Sequence, residues 1–246
     1  MRYLIVSDIH ANAEALQAVL EAAAGHYDQV VCCGDLVGYA ADPNAVVDWA
    51  RATVSAVVRG NHDRAAAGLD NLEWFNPAAR QATRWTQARL TPENLAYIRA
   101  MPRGPLAAGG FHMVHGSPLD EDEYVIGAAE ASQALHYVTA SLTFFGHTHV
   151  QGGFVWRRGR VEPLPKPGRN DGRRLVDLQP DAAYLLNPGS VGQPRDGDPR
   201  AAFALYDEAG GYLWLHRTAY DIATAQEKIR AAGLPPILAE RLAMGR

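Results

Sequence analysis

Short apolar runs alternate with amphipathic stretches along the N-terminal part of the chain. Arg2 to Ser7 is a β-type run, and from about Asn12 to Ala24 the apolar positions Ala15, Leu16, Val19 and Leu20 recur at helical spacing, with Asn12 as the natural N-cap. Gln29 to Cys33 reads as the next strand, Asp42-Pro43 opens a helix through Trp49 to Ala52, and Ser55 to Arg59 is a third strand. This βαβαβ alternation predicts an α/β protein. From Ala65 to Pro102 the pattern turns helical, with Asn76-Pro77 and Thr91-Pro92 as helix starts. A helical insertion or lid at about 65–102, within a single domain spanning 1–246, is expected. Strand runs resume at Gly110 to Val114, Leu142 to Phe145, Gly152 to Arg157, Ala183 to Leu186, Ala201 to Tyr206 and Tyr212 to Arg217, the last two joined by a turn at Glu208 to Gly211. A helix is predicted near Ala128 to Ala140, and a helical tail from Asp221 with a break at Pro235-Pro236. Pro163 to Pro180, rich in Pro, Gly and charge, reads as a surface excursion.

The polar residues at the ends of these runs carry the chemistry. Five times an apolar strand ends and a residue able to bind metal follows: Asp8 and His10 after YLIVS, Asp35 after VVCCG, Asn61, His62 and Asp63 after AVVRG, His115 after FHMV, and His147 and His149 after LTFFG. Each alone has a bland explanation as a turn former or a satisfied core residue. Their repetition matters because α/β sheets bring the carboxyl ends of neighbouring strands to one place. Asp8, His10, Asp35, Asn61, His115, His147 and His149 offer nitrogen and oxygen donors without a thiolate, too many for one tetrahedral zinc and suited to two ions bridged by a carboxylate. Two such ions about 3.5 to 4 Å apart activate a shared water and neutralise a phosphoryl group.

Composition narrows the classes. With 246 residues, 48% of them hydrophobic and 20% charged, and a net charge of -4, the chain has no broad basic surface for extended nucleic-acid binding. No signal peptide is evident, and no apolar run approaches the roughly 18 residues of a membrane span. The cysteines, Cys32 and Cys33, are adjacent and read as reduced fillers facing opposite sides of a strand, as expected of a cytoplasmic protein.

In this order, Asp8-Ile9-His10, Gly34-Asp35, Gly60 to Asp63, His115-Gly116 and Gly146 to His149 resemble the motifs of the calcineurin-like metallophosphoesterase superfamily, across roughly residues 3 to 150. The resemblance implies a four-layer αββα sandwich of two mixed β-sheets flanked by helices. It also implies a dinuclear centre of divalent ions, manganese first, with iron, zinc or nickel as alternatives. It assigns Asp8, His10 and His149 to one ion, Asn61, His115 and His147 to the other, and Asp35 to the bridge. His62, left as a non-ligand, would protonate the leaving oxygen, a task that suits an imidazole near neutral pKa. Asp63 is expected to brace its loop.

The segment Leu185 to Asp207 resembles loops of compact bacterial phosphodiesterase-like members. It is expected to present backbone N–H groups to an anion, with Arg195 clamping a phosphate oxygen. Protein serine/threonine phosphatases typically carry G-D-x-x-D-R-G, whereas this chain reads Gly34-Asp35-Leu36-Val37-Gly38-Tyr39-Ala40, which counts against a protein substrate and leaves the orienting partner of His62 unassigned. Ala11 also replaces the glycine common after D-x-H. The expected activity is hydrolysis of a small or nucleotide phosphodiester. The alternatives are a phosphomonoesterase or dinucleoside polyphosphate hydrolase, and a non-catalytic protein-interaction scaffold, as in a retromer subunit of this fold. Trp74, Phe75 and Trp85 in the helical insertion would line the site or form a dimer surface, so a homo-oligomer stays open.

Overall fold

The computed structural model describes every residue from Met1 to Arg246. The predicted opening alternation is present as β1 (Arg2–Val6), α1 (Ala13–Ala23), β2 (Gln29–Cys32), α2 (Pro43–Thr53) and β3 (Val54–Val57). The Asn12 side chain caps α1 by accepting from Ala15 N–H at 3.1 Å. Asp42 precedes α2 but makes no such bond, because its carboxylate takes Lys228 at 2.9 Å instead.

Strands β1, β2 and β3 run parallel in one six-stranded sheet that continues antiparallel through β11 (Ala201–Asp207), β12 (Tyr212–Thr218) and β9 (Arg173–Asp177). The second sheet has the order β4 (Leu106–Ala108), β5 (Phe111–Met113), β6 (Leu142–Phe144), β10 (Ala183–Asn187), β7 (Gly152–Arg157) and β8 (Arg160–Leu164). Strand alternation decides the layers. Tyr3, Ile5, Val31 and Cys33 point one way to meet Phe111, Met113, Phe144 and Leu186 of the second sheet. Leu4, Val6, Val30 and Cys32 point the other way onto Leu16, Val19 and Val46 of the helices. Outside the second sheet, Phe145, Phe154 and Leu185 pack on Ala131, Ala134 and Leu135 of α6 (Ala128–Tyr137). The result is the expected αββα sandwich of two mixed sheets, with Cys32 and Cys33 buried on opposite faces of one strand. No helix is long and apolar enough to cross a membrane.

Three strands lie where none was predicted. Within the segment expected to be a surface excursion, Arg173–Asp177 forms β9 at the edge of the first sheet, and its Val176 reaches the inter-sheet core. Its other side chains are exposed, so an edge strand with one buried position carried no alternating signal. β4 and most of β8 are edge strands with the same weakness.

A short helix α3 (Asn61–Ala66) leads into the segment expected as a helical insertion, which contains α4 (Pro77–Gln87) and α5 (Pro92–Ala100), capped by Asn76 and Thr91 as predicted. The C-terminal helices α7 (Ile222–Ala231) and α8 (Pro236–Met244) join α4 in an apolar cluster that includes Ala11, Tyr39, Ala79, Ala82, Ile229 and Leu238.

Behind the Leu185 to Asp207 segment lies a buried polar network. Asp196 pairs with Arg217, their side chains being 2% and 1% exposed, and Arg217 also donates to Gln151 at 2.9 Å. Asp196→Ala would leave the buried guanidinium uncompensated and is expected to cost about 3–5 kcal/mol, read from the urea midpoint. A loss below about 1 kcal/mol would put the pair in the class of surface ion pairs.

Candidate metal centre and its cleft

Six of the seven predicted ligands fall into two groups that share one residue. Donor atoms of Asp8, His10, Asp35 and His149 lie within 4.8 Å of one another, as do those of Asp35, His115 and His147, and all six residues are buried. Asn61, the seventh, places Oδ1 3.2 Å from His115 Nε2. Asp35 Oδ2 stands 3.5 Å from His10 Nε2 and 3.4 Å from His115 Nε2, between the groups.

The hydrogen bonds of the imidazoles fix which nitrogens face inward. His10 Nδ1 donates to the Val37 carbonyl at 3.0 Å, His149 Nδ1 to Gln193 at 2.6 Å, His115 Nδ1 to Cys33 at 2.8 Å and His147 Nε2 to Asp122 at 3.1 Å. The remaining nitrogens confront each other, with His10 Nε2 at 3.0 Å from His149 Nε2 and His115 Nε2 at 3.1 Å from His147 Nδ1. Opposed nitrogens beside buried carboxylates are repulsive unless a proton or a metal ion stands among them, and a set of nitrogen and carboxylate donors converging in this way fits metal ions.

The electrostatics leave three of the four rings ready to ligate and keep a proton on the fourth, His115, which an ion would displace. Burial lowers His10 and His149, and takes His147 down to about 3, leaving these rings neutral and able to ligate. Burial likewise opposes charge on His115, but Asp35, Asp8 and the Cys33 carbonyl outweigh it and push His115 up to about 10. Asp8 and Asp35 are held below the usual carboxylate range: burial acts against this, but His149 in the first case, and His115 and His62 in the second, prevail.

The backbone is strained at the same places. Asp8, His10, Asp35, His147 and His149 have φ of 52°, 51°, 56°, 65° and 58°, a left-handed conformation costing of order 1 kcal/mol each for non-glycine residues. It persists because neighbouring loops lock it in. Asp8 N–H donates to the Gly34 carbonyl at 2.9 Å, and His10 N–H to that of Asp35 at 3.0 Å. Asp63 braces the adjoining loop, accepting from Asp35 N–H at 2.7 Å, Gly60 N–H at 3.0 Å and Val37 N–H at 3.2 Å. Gly146 is required for space: a Cβ there would meet Ser7 Oγ and lie 2.8 Å from Asp8 Oδ2.

The loop after β10 differs from expectation. Its N–H groups are already used: Val191 donates to Ser7 and Gly192 to Asp8, both at 3.0 Å, Gln193 to Ser190 Oγ at 2.8 Å, and Arg195 to His149 at 3.1 Å. It clasps the Asp8 loop rather than forming an anion nest. Arg195 Nη2 donates to Tyr39 Oη at 3.1 Å and Gln193 Oε1 at 3.0 Å, while its buried Nε has no partner.

His62 is buried beside the centre, its ring edge-on to His10 at 5.0 Å and to Phe75 at 4.9 Å, with Tyr39 at 4.4 Å. No carboxylate orients it; Nδ1 has no hydrogen-bond partner, and a Cβ at position 38 would lie 2.7 Å from that atom, so Gly38 makes its room. Burial takes its pKa down to about 4, with Asp35 opposing and Arg195 assisting. A cleft of about 400 Å³ opens beside it, lined by Asn61, His62 and His147 on the metal-centre side and by Trp74, Phe75 and Tyr124 among others. The carbonyl partners escaped the sequence reading, since a backbone acceptor has no residue signature, and so did Tyr124, which follows no strand motif.

Comparison with known proteins converges on one family. The description "Calcineurin-like phosphoesterase superfamily domain" matches residues 1–211. An uncharacterized protein of Methanocaldococcus jannaschii is 33% identical over 98% of this chain and 97% of its own. The crystal structure of a metallophosphoesterase from Sphaerobacter thermophilus superposes with a TM-score of 0.87 at 40% identity, covering 100% of this chain and 99% of that one. A hypothetical protein from Pyrococcus horikoshii OT3 shares the fold, with a TM-score of 0.77 at 17% identity over 100% and 98% of the two chains. With its two six-stranded sheets and its Asp/His cluster able to hold metal, the chain belongs to the calcineurin-like phosphoesterase superfamily, a metal-dependent family.

Proposed function

We propose that this protein hydrolyses a small or nucleotide phosphodiester at a dinuclear centre. The observation that carries this is the pair of donor groups sharing Asp35, each with opposed imidazole nitrogens. Asp8, His10 and His149 would hold one divalent ion and Asn61, His115 and His147 the other, with Asp35 between; nitrogen and oxygen donors suit manganese, iron, zinc or nickel. Such ions, when bound, supply charge neutralisation at the phosphoryl oxygens and an activated water.

The remaining work belongs to the chain. The carbonyls of Val37, Gln193, Cys33 and Asp122 hold the rings in the required tautomer. His62 gives a proton to the leaving oxygen. Because burial keeps it neutral in the free protein, it takes up that proton together with the anionic substrate, whose charge offsets the desolvation. Arg195 offers its unpartnered Nε to a phosphate oxygen.

The test compares bis(4-nitrophenyl) phosphate with 4-nitrophenyl phosphate on protein loaded with manganese, nickel, zinc or iron, with elemental analysis of each preparation. A higher kcat/KM on the diester is expected. A strong monoester preference overturns the diester assignment, and a protein that retains no metal revives the scaffold alternative.

A further inference from the structure

The cleft carries more information than the metal centre. Trp74 is 89% exposed, on the helical insertion, at a position that lines the cleft. Its neighbour Phe75 is already engaged, edge-on to His62, and Tyr124 lies over His147 at 4.0 Å, so Trp74 is the cleft aromatic that stacks on no other ring. Next to it Asn76 spends its Oδ1 on capping α4, accepting from Ala79 N–H at 2.9 Å, which leaves its amide NH2 as the donor it offers the cleft. An open π-face beside an amide donor suits a flat ring with acceptor atoms on its edge.

Charge limits what else the ligand carries. Arg64 is the sole lysine or arginine in the cleft lining, and four of its five N–H groups are engaged by carboxylates: Nε and Nη2 by Asp70 at 3.1 and 2.7 Å, Nη2 also by Asp122 at 2.6 Å, and Nη1 by Glu121 at 2.6 Å. Asp70 and Asp122 themselves line the cleft, so away from the metal centre it presents two carboxylates and one guanidinium already paired with three acids. A polyphosphate chain extending along this lining would meet two acids and no cation that is not already paired with carboxylates. The volume of about 400 Å³ lies near the lower end of ligand pockets, roughly 300–1,000 Å³, a size that suits one nucleoside.

We propose that the cleft selects phosphodiesters bearing a single phosphate and a nucleoside arm, whose base stacks on Trp74 and is read at its edge by Asn76. This rests on the phosphodiesterase assignment above and separates this protein from hydrolases of dinucleoside polyphosphates. Trp74 is then a specificity residue of the insertion, with no part in bond breaking.

Equilibrium binding to the manganese-loaded protein tests it without requiring turnover. Adenosine 5′-monophosphate and ribose 5-phosphate share a phosphate and a sugar and differ in the base. Calorimetry is expected to show the nucleotide binding about tenfold more tightly, a difference that Trp74→Ala removes and Trp74→Phe largely restores. Diadenosine tetraphosphate is expected to be hydrolysed with a lower kcat/KM than a nucleoside phosphodiester. Equal affinities in the wild type, an undiminished contrast in Trp74→Ala, or preferred cleavage of the tetraphosphate overturns the proposal. Rates on bis(4-nitrophenyl) phosphate report separately on catalysis. A wild type that shows the Trp74-dependent contrast but cleaves no phosphoester supports the subsite and removes the catalytic assignment; turnover without the contrast does the reverse.

Discussion

Asp35→Asn is expected to strip most of the bound metal and to lower turnover by about a thousandfold or more, the scale of removing Lewis-acid stabilisation from a phosphoryl transfer. The size follows from its place: Asp35 belongs to both donor groups, with one oxygen within 3.5 Å of His10 and 3.4 Å of His115. A change at His149 touches one group, whereas a change at Asp35 touches both. A second readout is independent of catalysis. Ions that bind only the folded protein raise its Tm by mass action. Added manganese should therefore raise the wild-type Tm and leave the variant nearly unmoved. A variant that binds two ions and turns over normally would remove Asp35 from the bridge.

His62→Ala is expected to lower the rate by roughly 10²–10⁴ on a substrate with an alkoxide leaving group while metal content stays at the wild-type level. The loss should shrink to a small factor with 4-nitrophenolate, which departs without a proton. That dependence on the leaving group distinguishes proton donation from a packing role, because a misplaced centre would slow both substrates alike. Equal losses on the two would take the general-acid role away from His62. The ring's setting, between Tyr39 and Phe75 and against Gly38, shows how it is held without an orienting carboxylate.

The convergence of the Asp and His donors was legible in the sequence because they are side chains placed a few residues beyond apolar strands. Asp8, Asp35, Asn61, His115 and His147 each announce the end of a run, and parallel strands then bring them together. The left-handed backbone at five of these positions was not legible, since it is imposed by partners distant in sequence, such as Gly34 for Asp8. The same holds for the loop after β10. Its glycines suggested an anion nest, but its amides are matched to carbonyls of the Asp8 loop, an encounter that only the sheet order produces. Edge strand β9 was hidden for a third reason: with one buried side chain, it has no hydrophobic period to detect. Asp63 was read correctly as a brace, although the three amides it holds could not be named from the chain.

The apolar cluster under Tyr39 ties the C-terminal helices to the candidate site. The family match ends at residue 211, yet Ile229, Leu238 and Leu242 from the last two helices pack with Ala11 and Tyr39, and Tyr39 in turn covers His62. Ala11, the residue that departs from the usual glycine, spends its methyl group in that same cluster. A protein cut after residue 211 would keep every ligand side chain and lose the floor beneath its proposed acid. The tail that lies outside the family match is in this chain part of the packing that supports the candidate site.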